Sequence, residues 1–142
     1  MRRYYEFAVV VILLSMLGLL LINKLEKARD DMEEAAVQAE FQAMRAQLLE
    51  AVAHRETFGG VLPSSDNPAD WLPTPLRDYR GALDAAPTEG SIWYFDRQEK
   101  ALVYRFRDGH RARFRLSRQA GASDSRAVLA GVGLQRLEDK RE

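Results

Sequence analysis

The chain has 142 residues, and its 21 basic and 21 acidic side chains give a formal net charge of zero. Once a long first helix is set aside, the remaining length suits one small domain with a modest core. The sequence contains no cysteine, which excludes disulfides, thiolate metal sites and cysteine nucleophiles but leaves the compartment open.

An almost unbroken apolar run occupies residues 6–22. Its length is close to the ~20 residues that a membrane-spanning helix needs. The run continues into the mainly polar residues 23–27 rather than into a small-residue cleavage site, which favours an uncleaved anchor over a signal peptide. We therefore predict a short N-terminus at 1–5 and a transmembrane helix at 6–23.

Basic residues flank both ends of this span. Arg2 and Arg3 favour a cytoplasmic N-terminus, whereas Lys24, Lys27 and Arg29 stand just beyond the other end. We predict a cytoplasmic N-terminus and a C-terminal domain on the opposite side of the membrane.

Strong helix formers dominate residues 24–56, which we predict to be an amphipathic stalk continuous with the anchor. Its apolar stripe is mostly alanine at first and bulkier from Phe41 onward. This order predicts that a globular domain packs on the distal turns, while the alanine-rich turns face other helices or solvent. Phe41, Met44 and Leu48 are also candidates for a subunit interface. A dimeric coiled coil is the alternative, weakened by Gln42 at a core position of the heptad.

Turn-forming residues characterise the connection at 57–90, which we predict to be mainly loop. Asn67 followed by Pro68 predicts the cap and first position of a short helical turn. Trp71 and Tyr79 are the expected anchors that pin the loop to the domain.

Strand-forming residues predict an antiparallel sheet domain at 91–137. Trp93 and Phe95 are expected structural anchors in its first strand. Between the second and third strands, a three-residue loop at 108–110 would pair Phe106 with Ala112 and keep the core residues on one face.

The last predicted strand covers 127–137, with a break near Gly131 and Gly133. Residues 138–142 are predicted to be a charged tail.

Charge is distributed unevenly along the chain. Residues 26–56 hold eight acids and four bases, while 97–118 hold eight bases and two acids. Alternation predicts one sheet face with five arginines, which are also subunit-interface candidates: Arg105, Arg107, Arg111, Arg113 and Arg115. This face is either solvated or docked on the acidic stalk of a neighbour. Nucleic acid is not the expected partner, because the aromatic side chains alternate to the opposite face.

Residues able to support catalysis are sparse. His54 and His110 have no nearby serine–acid arrangement or metal-ligand spacing. Asp66, Asp70 and Asp78 share one loop but lack the spacing of a calcium-binding loop. We predict neither an enzyme nor a bound cofactor or metal.

Two parts of the sequence resemble a known family. One is Tyr5-Glu6-Phe7 followed by the apolar run; the other comprises Asn67-Pro68, Trp71-Leu72, Pro75, Tyr79, Gly81 and the stretches 90–96 and 102–104. With the predicted layout, they resemble type IV pilins and pseudopilins. The second part is similar to minor pilin-like proteins of the mannose-sensitive haemagglutinin (MSHA) pilus group.

The resemblance implies an α+β fold, in which a long N-terminal transmembrane-plus-amphipathic helix precedes a small antiparallel β-sheet. It also implies that Glu6 pairs during assembly with a cation of a neighbouring subunit, with Arg2, Arg3 and the amine of Met1 as donors here. Pairing of Glu6 with the arginines of its own chain is the alternative. The family's leader ends in glycine, which residues 1–3 lack, so cleavage by a prepilin peptidase is not expected.

The expected function is that of a non-enzymatic minor pilin-like subunit or assembly factor of a type IV pilus or a related type II secretion filament. The resemblance implies a single pass through a bacterial inner membrane, a periplasmic domain, and a hetero-oligomer with other pilin-like subunits or pilus assembly proteins. A single-pass coiled-coil scaffold of an envelope or division complex is the alternative.

Overall fold

The computed structural model describes residues 2–61, 63–117, 128–129 and 132–140. Helix α1 spans Arg2–Phe58, and a short 3-10 helix spans Pro68–Trp71. Six strands follow: β1 (Tyr79–Leu83), β2 (Ile92–Asp96), β3 (Ala101–Arg105), β4 (Arg111–Ser117), β5 (Val128–Leu129) and β6 (Val132–Lys140). The predicted α+β fold is confirmed.

The chain divides into two compact units, Met1–Ala36 and Val37–Glu142. The described part of the first unit is helical throughout, because it contains strong helix formers and no proline. Its apolar residues are exposed, including Leu13, Leu17 and Leu21 at 60–64%. By length and composition, α1 is sufficient to cross a membrane.

The second unit contains a mixed sheet in the order β1-β2-β3-β4-β6-β5. Strand β1 pairs with β2 in parallel, and the remaining pairs are antiparallel. The prediction that residues 79–83 are loop is therefore wrong. This strand lacks a clean alternation and contains an irregularity between Tyr79 and Ala82, so its pairing depends on tertiary contacts. Strand β6 also continues to Lys140, so 138–140 belong to the sheet rather than to a tail.

The register between β3 and β4 differs from the prediction by two residues. Tyr104 lies opposite Ala112, rather than Phe106 opposite Ala112. Because side chains alternate with a period of two, this shift leaves every side chain on its predicted face. Tyr104, Phe106 and Ala112 all belong to one core.

The hairpin loop has the predicted length but begins one residue earlier, at 107–109. The Gly109 N–H donates to the carbonyl of Phe106 at 3.0 Å, and the Phe106 N–H donates to the carbonyl of His110 at 2.9 Å. Gly109 has a φ of 95°. A three-residue loop favours a left-handed residue at its third position, which places glycine last in the loop rather than in the middle.

The core lies between the distal turns of α1 and one face of the sheet. The helix contributes residues at spacings of three and four: Val37, Phe41, Met44, Leu48 and Val52. The ring of Phe41 stacks on that of Phe114, with centroids 4.9 Å apart. The prediction that a domain packs on the distal turns is confirmed. Phe41, Met44 and Leu48 are at most 5% exposed. Because they are buried within their own domain, they are no longer candidates for a subunit interface.

Gly90 lies where two segments of backbone approach closely. A Cβ atom at this position would be 2.9 Å from the Cα atom of Arg107 and 3.1 Å from the carbonyl oxygen of Phe106. Backbone atoms cannot rotate away as a flexible side chain would. The start of β2 can therefore pack against the end of β3 only if residue 90 has no side chain.

Gly90→Ala is expected to lower the free energy of unfolding of the C-terminal unit by about 1–3 kcal/mol, because the added methyl group overpacks the backbone. Urea unfolding of the full-length protein in detergent, followed by tryptophan fluorescence, measures this change, since both tryptophans, Trp71 and Trp93, are buried in this unit. Thr88→Ala, at an exposed position nearby, is the control and should change little. Equal stability of the two variants would contradict the steric explanation.

Candidate functional site

Two side-chain hydrogen bonds fix the rotation of the distal turns of α1 on the sheet. The indole N–H of Trp93 donates to Oε2 of Glu40 at 2.8 Å. The guanidinium of Arg136 donates to Oε1 of Gln38 at 2.9 Å and lies 5.8 Å from the centroid of the Phe114 ring. The bonds connect two different strands to positions 38 and 40, which lie on either side of the buried stripe of α1. Together with that stripe, they leave the opposite face of the helix uncovered.

That uncovered surface is the alanine face, which we define as Ala39, Gln42, Ala43 and Ala46. All four side chains are exposed, whereas the large apolar residues between them are buried. Small uncharged side chains allow the backbone of another helix to approach closely. Sequence reasoning assigned an interface role to the bulky residues, but alanine periodicity is the signal that marks the accessible side.

Three of the five arginines on the predicted arginine face make hydrogen bonds within their own domain. Arg113 donates to the carboxylate of Glu99 at 3.0 Å, and its side chain is only 16% exposed. Arg115 donates to the backbone carbonyl of the same Glu99 at 3.1 Å, while Arg105 donates to the carbonyl of Pro87. Arg113 and Arg115 are therefore held together at one acidic residue.

Apolar side chains also occupy this side of the sheet. Tyr94, Ala101 and Val103 are buried and form a second cluster, against which Leu83 packs. Arg113 lies directly opposite Val103 in the register. The prediction of a plain solvated face is therefore too simple, because strands β2 and β3 are buried on both faces.

The connection before the sheet is pinned by a polar network around Asn67. Its Oδ1 accepts from the Ala69 N–H at 3.1 Å, and its Nδ2 donates to the hydroxyl of Tyr79 at 2.7 Å. The buried Trp71 donates its indole N–H to the carbonyl of Ser65 at 2.9 Å. The predicted Asn67 cap is confirmed. Tyr79 and Trp71 occupy the anchoring positions expected of them, and Trp93 and Phe95 are buried in β2.

Burial raises the pKa of the Tyr79 phenol above its ordinary value. The hydrogen bond from Asn67 stabilises the phenolate and so lowers the pKa of Tyr79, whereas the nearby carboxylate of Asp70 raises it further. The neutral phenol is therefore the form that the folded domain favours.

Described residues of the second unit line two open clefts. One, of about 270 Å³, has Glu40, Gln47, Leu72, Leu76 and Arg77 in its lining. The other, of about 340 Å³, includes residues of both charges: Asp66, Glu99, Lys100 and Arg115. Among the described residues, no group of three or more histidine, aspartate or glutamate side chains is placed to hold a metal ion.

Glu6, Arg2 and Arg3 are all exposed on the first turns of α1. Within the described residues, Glu6 makes no ion pair with either arginine. The carboxylate stands at the start of an exposed apolar surface, so burial of that surface in a membrane or a helix bundle would favour a cationic partner for it. The predicted donor at Met1 lies outside the described residues.

Comparisons with protein-family models, with curated proteins and with solved structures found no match to this chain.

The raised pKa of Tyr79 predicts a pH dependence of stability. A group whose pKa is raised by folding contributes stability below its unfolded pKa of about 10, and this contribution is lost as the pH rises through the folded value. We expect the free energy of unfolding to fall above about pH 10, with a smaller fall in Tyr79→Phe. Urea unfolding across this pH range measures both slopes. Tyr4→Phe, at an exposed position, is the control; identical slopes in wild type and Tyr79→Phe would contradict the assignment.

Proposed function

We propose that this chain is a non-enzymatic, minor pilin-like subunit or assembly factor of a type IV, MSHA-like pilus or a related type II secretion filament. It is anchored by a single pass in a bacterial inner membrane, with its N-terminus in the cytoplasm and its sheet domain in the periplasm. Its partners are other pilin-like subunits or pilus assembly proteins.

The observation that carries this proposal is the continuity of α1. One helix, Arg2–Phe58, contains both the exposed apolar run and the buried stripe on which the sheet packs. Because the sheet packs on the same helix that carries the apolar run, the domain accompanies that helix into any bundle that the helix joins. A scaffold with a separately folded domain would not need this shared element.

Two surfaces of α1 supply the contacts that such a bundle requires. Glu6 offers a carboxylate at the start of the apolar run, where a cation of a neighbouring subunit would neutralise it. The alanine face offers close approach for a second helix in the region that carries the domain. The scaffold alternative uses the alanine face but gives Glu6 no role.

Glu6→Gln is expected to reduce both surface filaments and co-purification of other pilin-like subunits, because it removes the charge but nearly preserves the side-chain shape. Filament counts by electron microscopy and partner recovery from solubilised membranes measure the two effects. Glu26→Gln, at an exposed acid beyond the apolar run, is the control. Unchanged filaments and unchanged recovery, at equal amounts of protein in the membrane, would exclude the pilin-like role of Glu6.

Ala46→Phe is expected to weaken partner recovery roughly tenfold, since a large ring on the alanine face would overpack a helix–helix contact by about 1–3 kcal/mol. Thr88→Phe adds the same ring to an exposed loop and should leave recovery intact. Tryptophan fluorescence checks that both variants retain the domain fold. Equal recovery of Ala46→Phe and wild type would show that the alanine face does not contact a partner.

A further inference from the structure

The cleft of about 270 Å³ lies between one side of α1 and the connection at 72–77. The helix lines it with residues at spacings of three and four, which share one side of a helix: Glu40, Ala43, Met44 and Gln47. Met44 is only 2% exposed, and Leu72 and Leu76 pack against the same core. The floor of the cleft is therefore largely apolar.

Glu40 places a carboxylate beside this apolar floor. Its Oε2 accepts the indole N–H of Trp93 at 2.8 Å. Across the described part of the chain, this is the only hydrogen bond or ion pair that Glu40 makes. An ionised carboxylate can accept about four hydrogen bonds. Most of this capacity is therefore left to solvent, which reaches the partly exposed side chain through the open cleft.

The cleft adjoins the alanine face, because Ala43 belongs to both. A helix packed on that face would lie along the edge of the cleft and shield Glu40 from water. Removing an ionised carboxylate from water is costly unless a hydrogen-bonding cation takes the place of the water. A lysine or arginine side chain meets this need, since its aliphatic stem can lie on the apolar floor while its charged end reaches Glu40.

Arg77 adds a second condition for whatever enters the cleft. It is exposed and lines the same cleft, yet it makes no ion pair with Glu40 or with any other described residue. Arg77 would repel a lone cation on a partner. A base accompanied by an acid complements the cleft better, and on a helix two residues one turn apart lie on the same side.

We propose that this cleft receives a lysine or arginine side chain from the helix that packs on the alanine face. The charged end of that side chain pairs with Glu40, and an acidic residue one turn away on the same helix faces Arg77. The inference rests on the proposed helix contact at the alanine face, and it adds the chemistry by which the partner is selected. A helix that is apolar at this position is rejected, because it would leave Glu40 buried without a counter-ion.

A peptide of defined sequence tests the cleft without the natural partner. The probe is an alanine-based helical peptide with one lysine and, one turn later, one glutamate; its matched control has norleucine in place of the lysine. Each is titrated into the full-length protein in detergent micelles, with the tryptophan indoles labelled with nitrogen-15 for NMR. The chain has two tryptophans. Trp93, bonded to Glu40, reports on the cleft, and Trp71, bonded to the carbonyl of Ser65, is the internal reference.

The lysine peptide should shift the indole signal of Trp93 and leave that of Trp71 in place. The norleucine peptide should need an about tenfold higher concentration for the same shift, because it lacks the charged hydrogen-bond donor. Glu40→Gln keeps an acceptor for the Trp93 indole but removes the charge, so it should abolish the preference for lysine while the fold is retained. Glu56→Gln, at an exposed acid of α1 outside the cleft, is the control and should behave as the wild type does.

The proposal is overturned if both peptides shift the Trp93 signal equally, if Glu40→Gln retains the preference for lysine, or if the lysine peptide causes no shift at millimolar concentrations. These results are separable from those of the Glu6 experiment. A lysine preference together with an unchanged Glu6→Gln phenotype would support the cleft as a binding site in a protein that acts outside a filament. A Glu6→Gln defect without a lysine preference would overturn the cleft and leave the filament role standing.

Discussion

The docking of α1 on the sheet is the contact on which the C-terminal unit depends. The sheet has one face of large apolar side chains, and Trp93, Leu102 and Phe114 on it are almost completely buried. A single sheet cannot cover such a face, so a second layer is required. Phe41 supplies the central ring contact, and the Trp93 to Glu40 hydrogen bond fixes the helix rotation. Replacing that acceptor would leave a buried indole N–H without a partner, which costs about 1–3 kcal/mol.

Local sequence signals predicted much of the fold but not its long-range pairings. Helix propensity predicted α1, and cap chemistry predicted the turn at Asn67. Strand propensity and alternation predicted strands β2 to β4 and which of their side chains face the core. Parallel strand β1 was missed because its partner is selected by tertiary contacts. The β3–β4 register was displaced because it depends on where Gly109 falls within the turn. Val37 joins the buried stripe although alanines dominate its neighbourhood, since only the docked sheet determines where burial begins.

The candidate site was harder to predict, because one signal has two meanings. Bulky apolar residues at helical spacing mark a helix face that will be buried, but they do not say whether by the same chain or by another. The structure assigns Phe41, Met44 and Leu48 to the core of their own domain. Similarly, four residues from the stretches that resemble pilin-like proteins have structural roles within the domain: Asn67, Tyr79, Gly90 and Trp93. The exposed surfaces of α1 are therefore where a partner would have room.

The separation in sequence between α1 and the strands that cover it has a consequence for biosynthesis. Gln38 meets Arg136 across 98 residues, and Glu40 meets Trp93 across 53. Contacts of this sequence separation make for slow folding, because the ends of long loops must be brought together first. The stripe from Val37 to Val52 leaves the ribosome before any of its strand partners exist. Closure of the domain must therefore wait until nearly the whole chain has been made, and the nascent helix carries an uncovered apolar stripe for most of its synthesis.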